Sequence, residues 1–146
     1  MLEIQNRQEV NLKPMTITVN DYQRLMGLVE FASLKAKMPD VTRRLIENLR
    51  VAKQLPQEEI KNNVITMNSR VKLRDVNNGI EAEVTITYPQ DAEPKKRKIS
   101  VFSEIGLALL GRKEKDIVTW RVPTGMGTFE VMKVTYQPEA AGDFYL

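Results

Sequence analysis

The sequence predicts an α+β fold: an N-terminal antiparallel helical hairpin, a short coiled coil, followed by a curved antiparallel sheet with one short helix. Three observations carry this. Apolar residues recur at helical spacing as far as Pro56 and alternate beyond it. Pro39 interrupts the helical half. A single short helix, "SEIGLALLG", is set among strand-like runs rather than alternating with them. The division expected is a polar, loose tail over residues 1–15, the hairpin over 16–56 and the sheet-bearing body over 57–146.

The first helix is expected over Asp21 to Lys37. Asn20 would cap it with Gln23 reaching back, and Leu25, Leu28, Val29 and Ala32 form its stripe. Pro39 disfavours the helical conformation of Met38, and Asp40 would cap the second helix. Leu45, Ile46, Leu49, Ala52 and Leu55 supply that helix's stripe, and Pro56 closes it. Two stripes joined by so tight a turn bury each other by folding back, with arms of about 25 Å at ~1.5 Å per residue.

In the body, "NVITMNSRVKLRD" and "IEAEVTITY" read as strands joined by the "NNG" turn, where positive φ is cheap for Asn and Gly. "PQDAEPKKRK" reads as a charged loop, "ISVF" as a third strand, and Ile117 to Val122 and Phe129 to Tyr136 as the fourth and fifth. Ser103 caps the short helix, Ile105, Leu109 and Leu110 face the sheet, and Gly111 ends it in a left-handed conformation. Gly106, costing about 1 kcal/mol against Ala in a helix, implies close backbone packing.

Composition removes whole classes of chemistry. Histidine and cysteine are both absent, so imidazole catalysis, thiolate nucleophiles, disulfides and Cys/His zinc sites are excluded together. No catalytic residue, cofactor or metal is expected. No apolar run approaches a membrane span, and the start lacks a leader pattern, so a cytoplasmic location and no membrane partner are the default. The net charge of +3 permits contact with nucleic acid or an acidic protein surface without demanding either.

The residues "VITMNSRVKLRD", "SEIGLALLGRK", "VTW" and "VTYQPEAAGDFYL" give the chain a likeness to a known family. The helical hairpin followed by these motifs resembles the GreA/GreB transcript-cleavage factors, most closely their short-hairpin branch, the regulators of nucleoside diphosphate kinase. The likeness runs from about Thr16 to Leu146. It implies an FKBP-like body and a non-catalytic regulator. Such a protein would hold RNA polymerase at the rim of its secondary channel, as a monomer, and compete with Gre-type factors without cleaving transcript. The branch also implies a link to nucleoside diphosphate kinase.

Carried over by position, the family's polymerase-contact segment falls on Phe102, Ser103 and Glu104, of which only Ser103 matches; Arg112 of the "GRK" motif joins these as a candidate contact. The plainer reading makes Ser103 a cap and Glu104 a favourable charge at a helix start. At the hairpin tip stand Lys37, Met38, Pro39, Asp40, Arg43 and Arg44. Metal-assisted cleavage needs several carboxylates converging on a hard cation, but the turn offers Asp40 alone among cations. From Asn20 to Leu55 seven cations face four anions, an excess opposite in sign to a metal-holding tip.

Two rival readings remain. An FKBP-like body suggests peptidyl-prolyl isomerase activity, which needs a pocket walled by aromatics. The run Lys95, Lys96, Arg97 and Lys98 suggests direct nucleic-acid contact, although a solvated loop explains it too and no stacking aromatic adjoins it in sequence. Trp120 reads as core. The ending "PEAAGDFYL" carries no ligand chemistry and is expected to tie the chain end back to the domain near the hairpin.

Overall fold

A computed structural model describes residues 14–33 and 39–146. Strand β1 (Thr16–Thr18) leads directly into helix α1 (Val19–Ser33), and after Pro39 helix α2 (Asp40–Arg50) brings the chain back. Strand β2 (Lys53–Leu55) then pairs in parallel with β1, so the hairpin closes beside its own starting point. Lys53 N donates to the Met15 carbonyl at 2.9 Å, and Met15 itself is fully buried. At ~1.5 Å per residue α2 is about 16 Å long, shorter than the arm expected from sequence.

Three local expectations are corrected here. Thr18, not Asn20, caps α1: its Oγ1 accepts from Asp21 N at 3.0 Å, and Asn20 lies inside the helix. Asp40 is the first helical residue rather than the cap, and no side chain caps α2. Its carboxylate instead turns toward Arg43 and Arg44. The second stripe stops at Leu49, because Ala52 and Leu55 leave the helix and the backbone groups of β2 are used by β1.

The body is a curled five-stranded sheet in the order β5-β4-β3-β7-β6. Its strands are β3 (Arg70–Asp75), β4 (Glu81–Thr87), β5 (Lys98–Ser100), β6 (Ile117–Val122) and β7 (Gly125–Tyr136). The β3–β4 turn is as its sequence demands: Gly79 has φ +74° and its N–H donates to Asp75 O at 2.8 Å. Residues 65–69, expected to extend β3, form a turn instead, with Asn68 at φ +67°. Strand β5 pairs parallel to β4, so the sheet is not purely antiparallel. Two single 3₁₀ turns, Pro89–Asp91 and Pro94–Lys96, carry the chain across that short connection. Strand β7 is longer than expected and starts within the "PTGMG" turn.

Helix α3 (Glu104–Leu109) plugs the inner face of the curl. A Cβ on Gly106 would lie 2.3 Å from the Ser100 carbonyl oxygen, so only glycine lets helix and strand backbones approach this closely. Gly111 has φ +79° and packs on Met15. Leu107, Leu109 and Leu110 are buried with Val71, Leu73, Ile86 and Val131 of the sheet. Trp120 is 6% exposed and stacks on Phe129, ring centroids 3.9 Å apart, which makes it core as expected. Leu25 and Val29 of α1 and Leu45 and Leu49 of α2 belong to this same cluster. The hairpin base therefore shares the body's core.

Helix α4 (Pro138–Ala141) follows β7 and folds the end of the chain back. Arg24 Nη1 donates to Leu146 O at 2.7 Å, and Gln57 Nε2 to Phe144 O at 3.4 Å. The ending lies against the hairpin base.

Candidate functional site

The turn into α3 is tied by several hydrogen bonds around Ser100 and Ser103. Ser103 Oγ donates to Ser100 O at 2.6 Å and accepts from Gly106 N at 3.0 Å, while Phe102 N donates to Ser100 Oγ at 3.0 Å. Ser103 is thus the cap the sequence predicts, with its hydroxyl engaged on both sides. Phe102 is half-buried and packs on the core, leaving part of its ring at the surface.

Glu104, next in sequence, reaches across to the hairpin. Arg44 Nη2 donates to its two carboxylate oxygens at 2.7 and 2.6 Å. Arg44 Nε also lies 3.0 Å from Asp40 Oδ2, an ion pair in which the N–H is not aligned for a hydrogen bond. Arg43 pairs with the other oxygen of Asp40. The Glu104 contact, foremost, raises the Arg44 guanidinium above its ordinary pKa. Both Arg44 and Glu104 are about two-fifths exposed, so this chain of charges positions more than it stabilises, at about 0–1 kcal/mol per exposed pair.

Two groups that the sequence placed apart are thereby joined. Asp40, Arg43 and Arg44 from the tip side of the hairpin and Glu104 from the body form one edge; Pro39 precedes them as an exposed residue. Lys37 and Met38 lie outside the described residues. Arg112 is not part of this edge. It stands past the opposite end of α3, its backbone held between Leu109 and Ile65, and burial lowers its guanidinium pKa.

Sequence reasoning missed a second polar cluster, at the hairpin base. Asp21 is 3% exposed and accepts from Met67 N at 3.1 Å. Burial pushes its carboxyl up to about 7 against that amide's opposing pull, and the Glu139 carboxylate adds to the rise. Thr66 Oγ1 donates to Glu139 Oε1 at 2.7 Å and sits 2.8 Å from Ser69 Oγ. Hairpin, loop and α4 thus meet at buried oxygens. The one signal in the sequence was an acid three residues after a helix-capping Thr, which reads as an ordinary first-turn charge.

A group of three or more acidic residues placed to hold a metal ion is absent among the described residues. No described helix is long and apolar enough to cross a membrane.

Comparison with known proteins agrees with this architecture. The family model "Transcription elongation factor, GreA/GreB, C-term" matches residues 60–136. The "Regulator of nucleoside diphosphate kinase" of Escherichia coli K12 is 37% identical over 134 residues, 90% of this chain and 97% of the relative. The "Transcription elongation factor GreA" of Clostridioides difficile is 32% identical over 138 residues, covering 90% of this chain and 87% of that protein. Among solved structures, "Prokaryotic transcription elongation factor GreA/GreB from Nitrosomonas europaea" superposes with a TM-score of 0.73 at 31% identity, covering 85% of this chain and 99% of that one. The fold is thus shared with the solved relative, and the chain belongs to the GreA/GreB family.

Proposed function

We propose that the protein is a non-catalytic regulator that binds RNA polymerase near its secondary channel and competes with Gre-type factors. The observation that carries this reading is the Asp40–Arg44–Glu104 edge, which fixes the hairpin against the segment where the family resemblance puts the polymerase contact. Phe102 supplies apolar surface there, worth about 1.5–3 kcal/mol if a partner covers it. Glu104 and the arginines supply the charges that choose orientation.

The same edge argues against transcript cleavage. Between Phe31 and Asp40 the sequence contains no acid except Asp40, and its carboxylate already lies between two guanidinium groups. A divalent cation there would meet one engaged carboxylate and two like charges. The short α2 arm supports a hairpin that obstructs the channel rather than reaching a catalytic centre. We place the link to nucleoside diphosphate kinase downstream of transcription. The isomerase alternative is disfavoured because Trp120 and Phe129 are spent on each other and Tyr88 is buried.

The test is a binding titration against core RNA polymerase. Phe102→Asp should weaken binding about 10- to 100-fold, the equivalent of the apolar burial above. Glu104→Arg should weaken it as well, and adding Arg44→Glu, which restores the internal pair with reversed charges, should not restore binding if Glu104 itself meets the partner. Absence of wild-type binding would reject the proposal.

A further inference from the structure

Strand register sets several cations on the outer face of the sheet. Lys98 of β5 stands beside Thr85 of β4, Thr85 beside Arg70 of β3, and Arg70 beside Tyr136 of β7. One step along, Lys72 of β3 stands beside Lys133 of β7. The opposite face carries Val71, Val134 and Leu73 into the core, so alternation forces these charged residues outward.

The charges on this face are unbalanced. Glu83 stands beside Lys72, lies 4.0 Å from Arg70 and accepts from Thr135 Oγ1 at 2.9 Å, and Glu93, bridged to Lys98, pairs with Lys96. Lys72, Lys98 and Lys133 are exposed, and no ion pair within the described residues holds them. With the next row, Glu81–Arg74–Glu130, in which Arg74 pairs with Glu130 at 2.8 Å, strands β3, β4, β5 and β7 place five cations and three carboxylates on this face, an excess of two.

An aromatic lies within the row. The Arg70 guanidinium carbon lies over the Tyr136 ring, 5.8 Å from its centroid, and the Tyr136 hydroxyl donates to Asp143. Beside them, Glu114, Lys133, Tyr136, Gln137 and Ala141 line an open groove of about 430 Å³. The fold brings Tyr136 to Arg70, at the far end of the register row that starts with Lys98 of the basic run.

We infer that this face binds single-stranded nucleic acid, with Lys72, Lys98, Lys133 and Arg70 on the phosphates and Tyr136 stacking a base. Backbone-tracking cations combined with an aromatic platform are what sequence-tolerant single-strand binding uses. An acidic protein surface would answer the charges but gives the ring no role. The inference stands apart from the polymerase-docking edge, which uses α2 and α3.

The experiment is fluorescence anisotropy of the full chain with a labelled oligouridylate of about 12 nucleotides, without polymerase, across a salt series. Four phosphate contacts on a single strand predict a log–log salt slope near −3, an affinity loss of about fiftyfold from 50 to 200 mM salt. Lys72→Gln with Lys133→Gln should halve that slope, whereas Lys53→Gln on β2 should leave it unchanged. Tyr136→Leu should cost about tenfold with the slope retained, and Tyr136→Phe should bind as wild type. Circular dichroism verifies that each variant is folded. No binding at 50 mM salt, a slope indifferent to the lysine pair, or equal affinity for polyglutamate would overturn the inference.

Discussion

Replacing Asp21 with asparagine should abolish most of the pH dependence of folding between about pH 5 and 7.5. Asp21 is 3% exposed at the junction of α1 with the Met67 turn, and burial raises its carboxyl to about 7. An unfolded aspartate titrates near 3.9. Between those values the folded state holds a proton that the unfolded state has released. The stability from this raised pKa is therefore complete below about pH 4 and lost as pH rises through about 7. The slope is at most about 1.4 kcal/mol per pH unit, and the full span amounts to about 2–4 kcal/mol once structural relaxation is allowed for. With no histidine in the chain, no other side chain has an ordinary pKa in this window. Asparagine keeps an oxygen for the Met67 amide and has no proton to release. Urea unfolding at several pH values should show wild-type stability declining toward pH 7.5 and Asp21→Asn nearly level. A wild-type curve that is flat or rises with pH, or a variant that keeps the decline, would refute the reasoning.

Thermal and urea unfolding test the packing claims as well. Gly106→Ala should destabilise by about 1–3 kcal/mol, because a Cβ would meet the Ser100 carbonyl oxygen at 2.3 Å; an unchanged midpoint would show that helix and strand can separate freely. Thr18→Ala should cost about 0.5–2 kcal/mol and Asn20→Ala less, since Thr18 holds the Asp21 amide. A double-mutant cycle on Arg44 and Glu104 should give a coupling of about 0–1 kcal/mol, reduced by salt, because both side chains are about two-fifths exposed. A coupling well above that would mean the pair stabilises the hairpin rather than merely orienting it.

How much of this the sequence carried depended on how local each determinant is. The Ser103 cap, the Gly111 stop and the Asn77–Gly79 turn were readable because a few adjacent residues set them. Gly106 was readable as a close approach, although not what it approaches. The α1 cap was misassigned because Thr18 sits in a run that alternates like a strand, and Asn20 has equal capping chemistry two residues on. The end of α2 was misassigned because Ala52 and Leu55 continue its apolar spacing, while β1, whose pairing draws Lys53–Leu55 into a strand, lies more than 30 residues back. The parallel β4–β5 pairing has no local signature.

The candidate edge followed the same logic. Glu104 and the tip arginines were each singled out, but their meeting spans 60 residues and needed the fold. Asp21 was passed over because its environment, Met67 and Glu139, is assembled from segments 46 and more residues distant. Tyr136 looked like a strand residue until register set it beside Arg70.

The proposal that the protein docks on RNA polymerase without stimulating cleavage is tested most directly by a transcript-cleavage assay on backtracked RNA polymerase complexes. With Mg²⁺ alone, saturating protein should leave cleavage at its unstimulated rate. Added with GreA, it should lower the stimulated rate in proportion to occupancy, and Phe102→Asp should lose that effect. Stimulation of cleavage by the protein itself, or no effect on GreA at saturation, would contradict the account.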